Sequence, residues 1–171
     1  CDAPSTGAFA KFEATRGWAE ATPVEVPPGE PYWVLVPGSQ AESRRWPIGF
    51  FIDLSRKIRK ETGLRGIVVG GPKEAAIAAE LCGDSGLGLV DLTSQGRVSQ
   101  LWKVFKESKF VVSNDSGLAH VASLCGAKVQ VVFGAGDPRR TRPIWPGAVR
   151  GKVNPVVCWP SERHFFFQPP L

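Results

Sequence analysis

The sequence predicts an α/β fold, a doubly wound parallel sheet with helices on both faces. Three observations carry this. Short apolar runs alternate with helix-forming stretches through five repeats. The apolar runs are β-branched and continuous, without the polar alternation of a sheet that has one wet face. Glycine, proline or small polar residues end nearly every run, where a strand must turn into a crossover.

Residues 1–31 come first and are irregular. Pro4, Pro23, Pro27, Pro28 and Pro31, with Gly7 and Gly29, interrupt any long periodicity. Residues 9–21 have room for a short helix, and the rest reads as a linker. The first strand is 32–36, closed by Pro37-Gly38. A polar loop leads to Pro47, a residue favoured at the first position of a helix because its missing N–H costs nothing there. Ile48, Phe51, Leu54, Ser55 and Ile58 then share one helical face, and Gly63 ends the helix.

The second strand is 67–69, ended by Gly70-Gly71-Pro72. The alanine-rich stretch 74–81 is a strong helix former. Residues 87–92 give the third strand. Val98, Leu101, Trp102 and Phe105 follow amphipathic-helix spacing. The fourth strand is 110–112 and its helix 116–125. The fifth strand is 129–133, ended by Gly134. Right-handed crossovers bring all the strand-to-helix loops to one sheet edge, and ligands of such sheets bind outside the carboxyl ends of the strands. The candidate surface is therefore 37–45, 69–74, 91–97, 113–117 and 133–141.

Composition bounds the class. With 171 residues, 43% hydrophobic and 22% charged, the chain is one domain or most of one, and neither disordered nor fibrous. No apolar run approaches the ~18–20 residues of a membrane helix, and no basic flank with an apolar stretch marks a signal peptide. The four cysteines, at 1, 82, 125 and 158, form no CxxC pair, and the two histidines are far apart. Neither a disulfide framework nor a metal site is expected. The chain has no Met and begins at Cys1, which reads as an excised domain or partial chain. The net charge of +5 is simplest as a solvated cationic surface. Its other reading is an anionic partner, with nucleic acid disfavoured for want of an aromatic-flanked basic signature.

Four segments carry candidate chemistry. In 111–120, Asn114, Asp115 and Ser116 are good N-cap residues, so the stretch is at least a helix start. It also suits a diphosphate held by free N–H groups and the positive end of the helix, with Gly117 allowing close approach and His120 one turn inward. In 37–47, Gly38 and Ser39 are followed by Arg44 and Arg45, whose forked donors match phosphate, although a solvated basic loop would look alike. In 70–74, Gly71 precedes Glu74, which either complements the helix dipole or accepts hydrogen bonds from ribose hydroxyls. In 133–143, a glycine- and arginine-rich loop could close over a ligand. No GxGxxG, P-loop or GxSxG motif is present.

Five motifs in order, PGS…SRRWP (37–47), VVGGPKE (68–74), LVDLTS (89–94), FVVSNDSGLAHVAS (110–123) and VVFGAGDPRRTRP (131–143), resemble the C-terminal half of the ADP-heptose:lipopolysaccharide heptosyltransferases and their relatives, glycosyltransferase family nine. The resemblance covers about residues 32–145. It implies a GT-B architecture with two Rossmann-like domains: 32–150 would be the nucleotide-sugar-binding one, and 151–171 a C-terminal tail. It implies an inverting, metal-independent transfer without cofactor, from a donor such as ADP-heptose to a lipid-linked saccharide bound by the other half, which also supplies the base. By motif, Gly38, Ser39 and Arg44 would meet the diphosphate, with Arg44 stabilising the leaving group. Gly71 would belong to the donor site, Glu74 would face the ribose, and Gly96 and its neighbours would flank the adenine. Asp115, Ser116, Gly117 and His120 would hold diphosphate and sugar. Arg44 stands where the family usually has lysine, Gly136 where it commonly has threonine, and the tail departs from the usual cysteine-containing end. A cytoplasmic enzyme follows, with peripheral contact to an acidic inner-membrane surface allowed by the basic excess. The rivals are a non-catalytic nucleotide-sugar-binding module and a GT-B-like sugar-nucleotide epimerase.

Overall fold

The computed structural model describes residues 21–134, 136 and 138–143. The helix expected over 9–21 falls almost wholly outside them, and the whole tail 151–171 and residues 144–150 lie outside them. Five strands alternate with helices: β1 (Tyr32–Val36), α1 (Ile48–Thr62), β2 (Arg65–Val68), α2 (Ala75–Gly83), β3 (Leu89–Asp91), α3 (Trp102–Glu107), β4 (Val111–Asn114), α4 (Gly117–Leu124), β5 (Val129–Val132) and the single turn α5 (Pro138–Thr141). The strands form one parallel sheet in the order β3-β2-β1-β4-β5.

Period-two alternation along β1 divides the core. Tyr32, Val34 and Val36 join Ile67, Val111 and Val129 beneath Val104 and Phe105 of α3 and Ala119 and Ala122 of α4. Trp33 and Leu35 face the other way, with Val68 and Val112, against Phe51 of α1 and Ala78 and Leu81 of α2. Each side chain of Phe or Leu size buried here contributes roughly 1.5–3 kcal/mol. Trp33 stacks on Phe110 at 5.8 Å between ring centroids. Gly66 makes room for that indole, because a Cβ there would meet Leu89 and the Trp33 ring.

The helix ends follow local chemistry. Gly63 caps α1 in the left-handed region at φ 69°, its N–H bonded to Arg59 O. Ser116 caps α4, its hydroxyl accepting from Ala119 N. The basic run on α1 is matched by acids: Arg56 by Asp53 and Asp84, Lys57 by Glu61, and Arg59 by Glu30.

Three elements differ from the sequence pattern. The helix expected through 98–105 splits into a 3-10 turn, Val98–Gln100, and the short α3. The third strand loses Leu87 to another 3-10 turn, Ser85–Leu87, because Gly88 turns left-handed at φ 61°. The fourth strand runs on through Ser113 and Asn114, which propensity disfavours. Both are fully buried, and each is hydrogen-bonded through its side chain.

Residues 21–31 lack regular structure but are strapped to the body. Val24 is buried and its N–H bonds to Gln100 O, whose side-chain amide donates to Thr22 O. The Arg65 guanidinium donates to the carbonyls of Glu30 and Pro27. Among the described residues, no helix is long and apolar enough to cross a membrane.

Candidate functional site

The strand order reverses between β1 and β4. From β1 the chain winds outward through β2 and β3; from β4 it winds the other way to β5. The crossovers leaving β1 and β4 therefore part company at the carboxyl edge. That opens the crevice in which doubly wound folds bind ligands.

The β1 crossover, 37–46, forms one wall. Pro37, Gly38 and Ser39 are buried. Ser39 Oγ donates to Asp115 O at 2.8 Å, and Arg45 Nε donates to Ser39 O at 2.9 Å. A 3-10 turn, Glu42–Arg44, completes the loop. Asn114 holds both its ends: Nδ2 donates to Pro37 O at 2.7 Å, and Oδ1 accepts from Trp46 N at 3.0 Å.

The opposite wall is the start of α4. The first amides of a helix lack intrahelical acceptors, and the dipole makes that end positive. Gly117 is exposed, and a Cβ there would meet nothing within 4 Å, so the backbone is open to a ligand.

Between these walls lies a cavity of about 430 Å³. Its polar rim includes Gly38, Ser39, Gly70, Gly71, Glu74, Gly96, Ser116 and Gly117; its apolar lining includes Val36, Leu101, Leu118 and Val121. Seven of the ten site residues expected from sequence thus converge. Gly96 has φ 137°, where a side chain would be strained, and a Cβ would also meet Val24. Asp91 fixes this loop, its Oδ1 accepting from the N–H and hydroxyl of Thr93 at 2.7 and 2.6 Å.

Glu74 caps a helix start and also reaches the cavity. Oε2 accepts from Gly71 N at 2.8 Å, a helix-start cap. The carboxylate also lines the cavity beside Gly38, where a Cβ would lie 2.8 Å from Oε1 and 2.6 Å from Cγ. Gly38 is needed for that approach.

The other three residues stand outside the cavity lining. Arg44 Nη1 is 3.8 Å from Asp115 Oδ2, with the Arg44 side chain 44% exposed and that of Asp115 5% exposed. So solvated a pair contributes about 1 kcal/mol at most. Thr141 Oγ1 donates to the same carboxylate oxygen at 3.4 Å, and Gly136 packs so closely on it that a Cβ would collide. His120 is exposed, and the lining positions of α4 are 117, 118 and 121. The one-turn spacing from Ser116 sets it on the flank of that arc.

The sequence pattern marks Asn114 only as a cap and gives Asp91 no role as a loop anchor. An Asp two residues before Thr is a visible turn signal; the partners of Asn114 are too distant to be. Among the described residues, no three His, Cys, Asp or Glu side chains group as a metal site.

The model of glycosyltransferase family 9 (heptosyltransferase) matches residues 3–158. Lipopolysaccharide heptosyltransferase 1 of Salmonella typhimurium is 29% identical over 137 residues, covering 79% of this chain and 40% of that protein. Among solved structures, the Escherichia coli ADP-heptose lps heptosyltransferase II aligns with a TM-score of 0.67 at 20% identity, over 85% of this chain and 43% of the other. A family 9 glycosyl transferase from Veillonella parvula aligns at 0.65 and 17% identity, over 86% and 40%. The E. coli heptosyltransferase WaaC with ADP aligns at 0.56 and 24%, over 63% and 35%. The structural likenesses establish the fold, and the chain spans about two-fifths of the length of the curated relative.

Proposed function

This chain belongs to glycosyltransferase family 9, the heptosyltransferases, and from that premise we propose that it is the donor-binding half of a GT-B enzyme transferring a sugar, heptose by preference, from a nucleoside diphosphate to a lipopolysaccharide-type acceptor. The observation that carries the reading is the convergence of residues from four separate crossovers on one cavity at the β1/β4 switch point. The diphosphate lies against Ser116 and Gly117 at the start of α4, with Ser39 opposite. The nucleoside extends toward Glu74, which accepts from the ribose, and Gly96, which lets the base approach the backbone. Arg44 and Asp115 flank the diphosphate on the sugar side, and His120 borders the same helix end.

In the reaction an acceptor hydroxyl oxygen attacks the anomeric carbon. The bond from that carbon to the diphosphate breaks, and its electron pair leaves with the diphosphate. The hydroxyl proton passes to a carboxylate of the acceptor-binding half. Negative charge grows on the leaving group, and in this reading the Arg44 guanidinium turns to it from beside Asp115 while the positive end of α4 faces it. Such preorganised contacts typically lower the barrier by ~2.7–4 kcal/mol each. In this reading they do the work a metal ion does elsewhere, and no cofactor takes part. The enzyme works in the cytoplasm, where the lipid-linked acceptor brings it to the inner membrane surface.

Calorimetry with ADP, UDP and GDP tests the reading. ADP is expected to bind with preference over the other two. A preference for UDP would remove heptose chemistry from consideration.

A further inference from the structure

We propose that Asn114 is a positioning residue, a clasp that closes the 37–46 crossover into a ring and so aims Ser39 and Arg44 at the diphosphate. The proposal rests on the donor-site reading above. Asn114 is wholly buried at the end of β4. Its amide meets Pro37, the first residue after β1, and Trp46, the last before the Pro47 turn into α1. Chemistry fixes which way the amide faces. A carbonyl at Pro37 requires the NH2 group, and the N–H of Trp46 requires the oxygen.

Asp has the acceptor but lacks the donor. Leu has the shape and neither polar group. Ser is too short to reach both ends, and Gln is one methylene too long for the same packing. The site is therefore specific for the residue it contains.

The loop is braced internally by Arg44 N to Ala41 O, Arg45 N to Glu42 O and Arg45 Nε to Ser39 O. These bonds give it shape but do not attach it to the sheet. Beside the packing of Trp46 in the core, polar ties to the end of β4 come from two consecutive residues of the chain: the Asn114 amide, the Asp115 carbonyl that receives Ser39 Oγ, and the Asp115 carboxylate beside Arg44. The ion pair is half in solvent and weak. The buried amide bonds are shielded from competing water, so they hold the loop in register. The same two residues lead directly into Ser116 and α4. Asn114 thus sets the distance between the two walls of the crevice.

The test is the ratio of ADP to adenosine affinity, measured by calorimetry on the full 171-residue chain and on Asn114→Leu. Adenosine reaches only the Glu74 and Gly96 end, whereas ADP also needs the loop. The ratio is expected to fall about tenfold in the variant, the scale of a misplaced phosphate contact, with adenosine binding unchanged. A residue that merely supported the fold would weaken both ligands alike. If Asn114→Leu does not fold, Asn114→Ser carries the same measurement, since it breaks the clasp without adding apolar bulk. A variant that keeps the parent ratio overturns the clasp while leaving the donor site standing. A parent chain that does not prefer ADP over adenosine overturns the donor-site reading and the clasp with it.

Discussion

The Asp115 carboxylate faces the Arg44 guanidinium at 3.8 Å, joining the crossover that leaves β1 to the one that leaves β4. The contact is long and half-exposed, so its direct stabilisation is small. Its consequence is orientation: it ties a permanent cation to Asp115, two residues before the start of α4. In a two-domain enzyme carrying this chain, Arg44→Ala is expected to lower turnover by roughly 100-fold or more. Steady-state assay with saturating donor measures it. Because the side chain is partly solvated, the thermal midpoint should scarcely move. Turnover equal to the parent's would take Arg44 out of the mechanism.

Gly134 carries a second prediction. A Cβ there would lie 2.5 Å from Ser43 O and 3.1 Å from Arg44 Cα. Both are backbone atoms and cannot swing aside as a side-chain tip would. Gly134→Ala should therefore displace the 42–44 turn, at a cost of about 1–3 kcal/mol, and weaken ADP binding together with stability. Gly49→Ala is the control, since a Cβ there meets nothing within 4 Å. It should hold or raise the thermal midpoint, because alanine suits a helix better than glycine. Equal midpoints for Gly134→Ala and the parent would show that the two loops are not in close contact.

The strands were legible because 32–36, 67–69 and 111–112 are continuous apolar runs and 129–132 is interrupted only by Gln130, and burial on both faces needs such runs. The start of α4 was legible because Ser116 is a cap whose chemistry is local. Strand order was not, since pairing between β1 and β4 joins residues such as Val34 and Val111. The Asn114 clasp reaches partners 77 and 68 positions away, which no local pattern encodes. Val98 to Phe105 misled for a different reason: their spacing is apolar at helical intervals, but Gln100 is tied to Thr22 and Val24, and the backbone tightens to a 3-10 turn. His120 lies four residues after Ser116, which carries it ~6 Å further along the helix axis and turns it by ~40°, so it stands exposed beside the lining positions 117, 118 and 121.

Alkaline pH should unfold the domain through two neutral groups. Burial, with smaller help from Glu107 and against Arg65, pushes the Tyr32 hydroxyl from 10.0 to about 12. Burial and then Asp91 push the Cys82 thiol from 9.0 to about 11. Both native values exceed the unfolded ones, so the fold favours the protonated forms. That contribution is complete below about pH 9 and is lost between 9 and 11 for Cys82 and between 10 and 12 for Tyr32. Tyr32→Phe also loses the bond from the hydroxyl to Val104 O, worth about 0.5–1.5 kcal/mol. It should start less stable at pH 8 and converge on the parent as pH rises past 10. Urea midpoints measured across that range decide it, and parallel curves would contradict the assignment.

Glu74 allows capping to be separated from binding. One carboxylate oxygen accepts from Gly71 N, and the carboxylate also borders the cavity beside Gly38. Glu74→Gln keeps an oxygen for the cap, so the thermal midpoint should stay close to the parent's. It removes the charge that would strengthen hydrogen bonds from ribose hydroxyls. Bonds to a charged acceptor contribute about 1.5–3 kcal/mol, against about 1 for neutral ones. The parent should therefore prefer ADP over 2′-deoxy-ADP by about tenfold or more, and the variant should lose most of that preference. Glu74→Ala should lose both the preference and part of the stability. If Glu74→Gln discriminates between the two nucleotides as the parent does, the carboxylate is a cap alone, and the ribose end of the site lies elsewhere along the cavity.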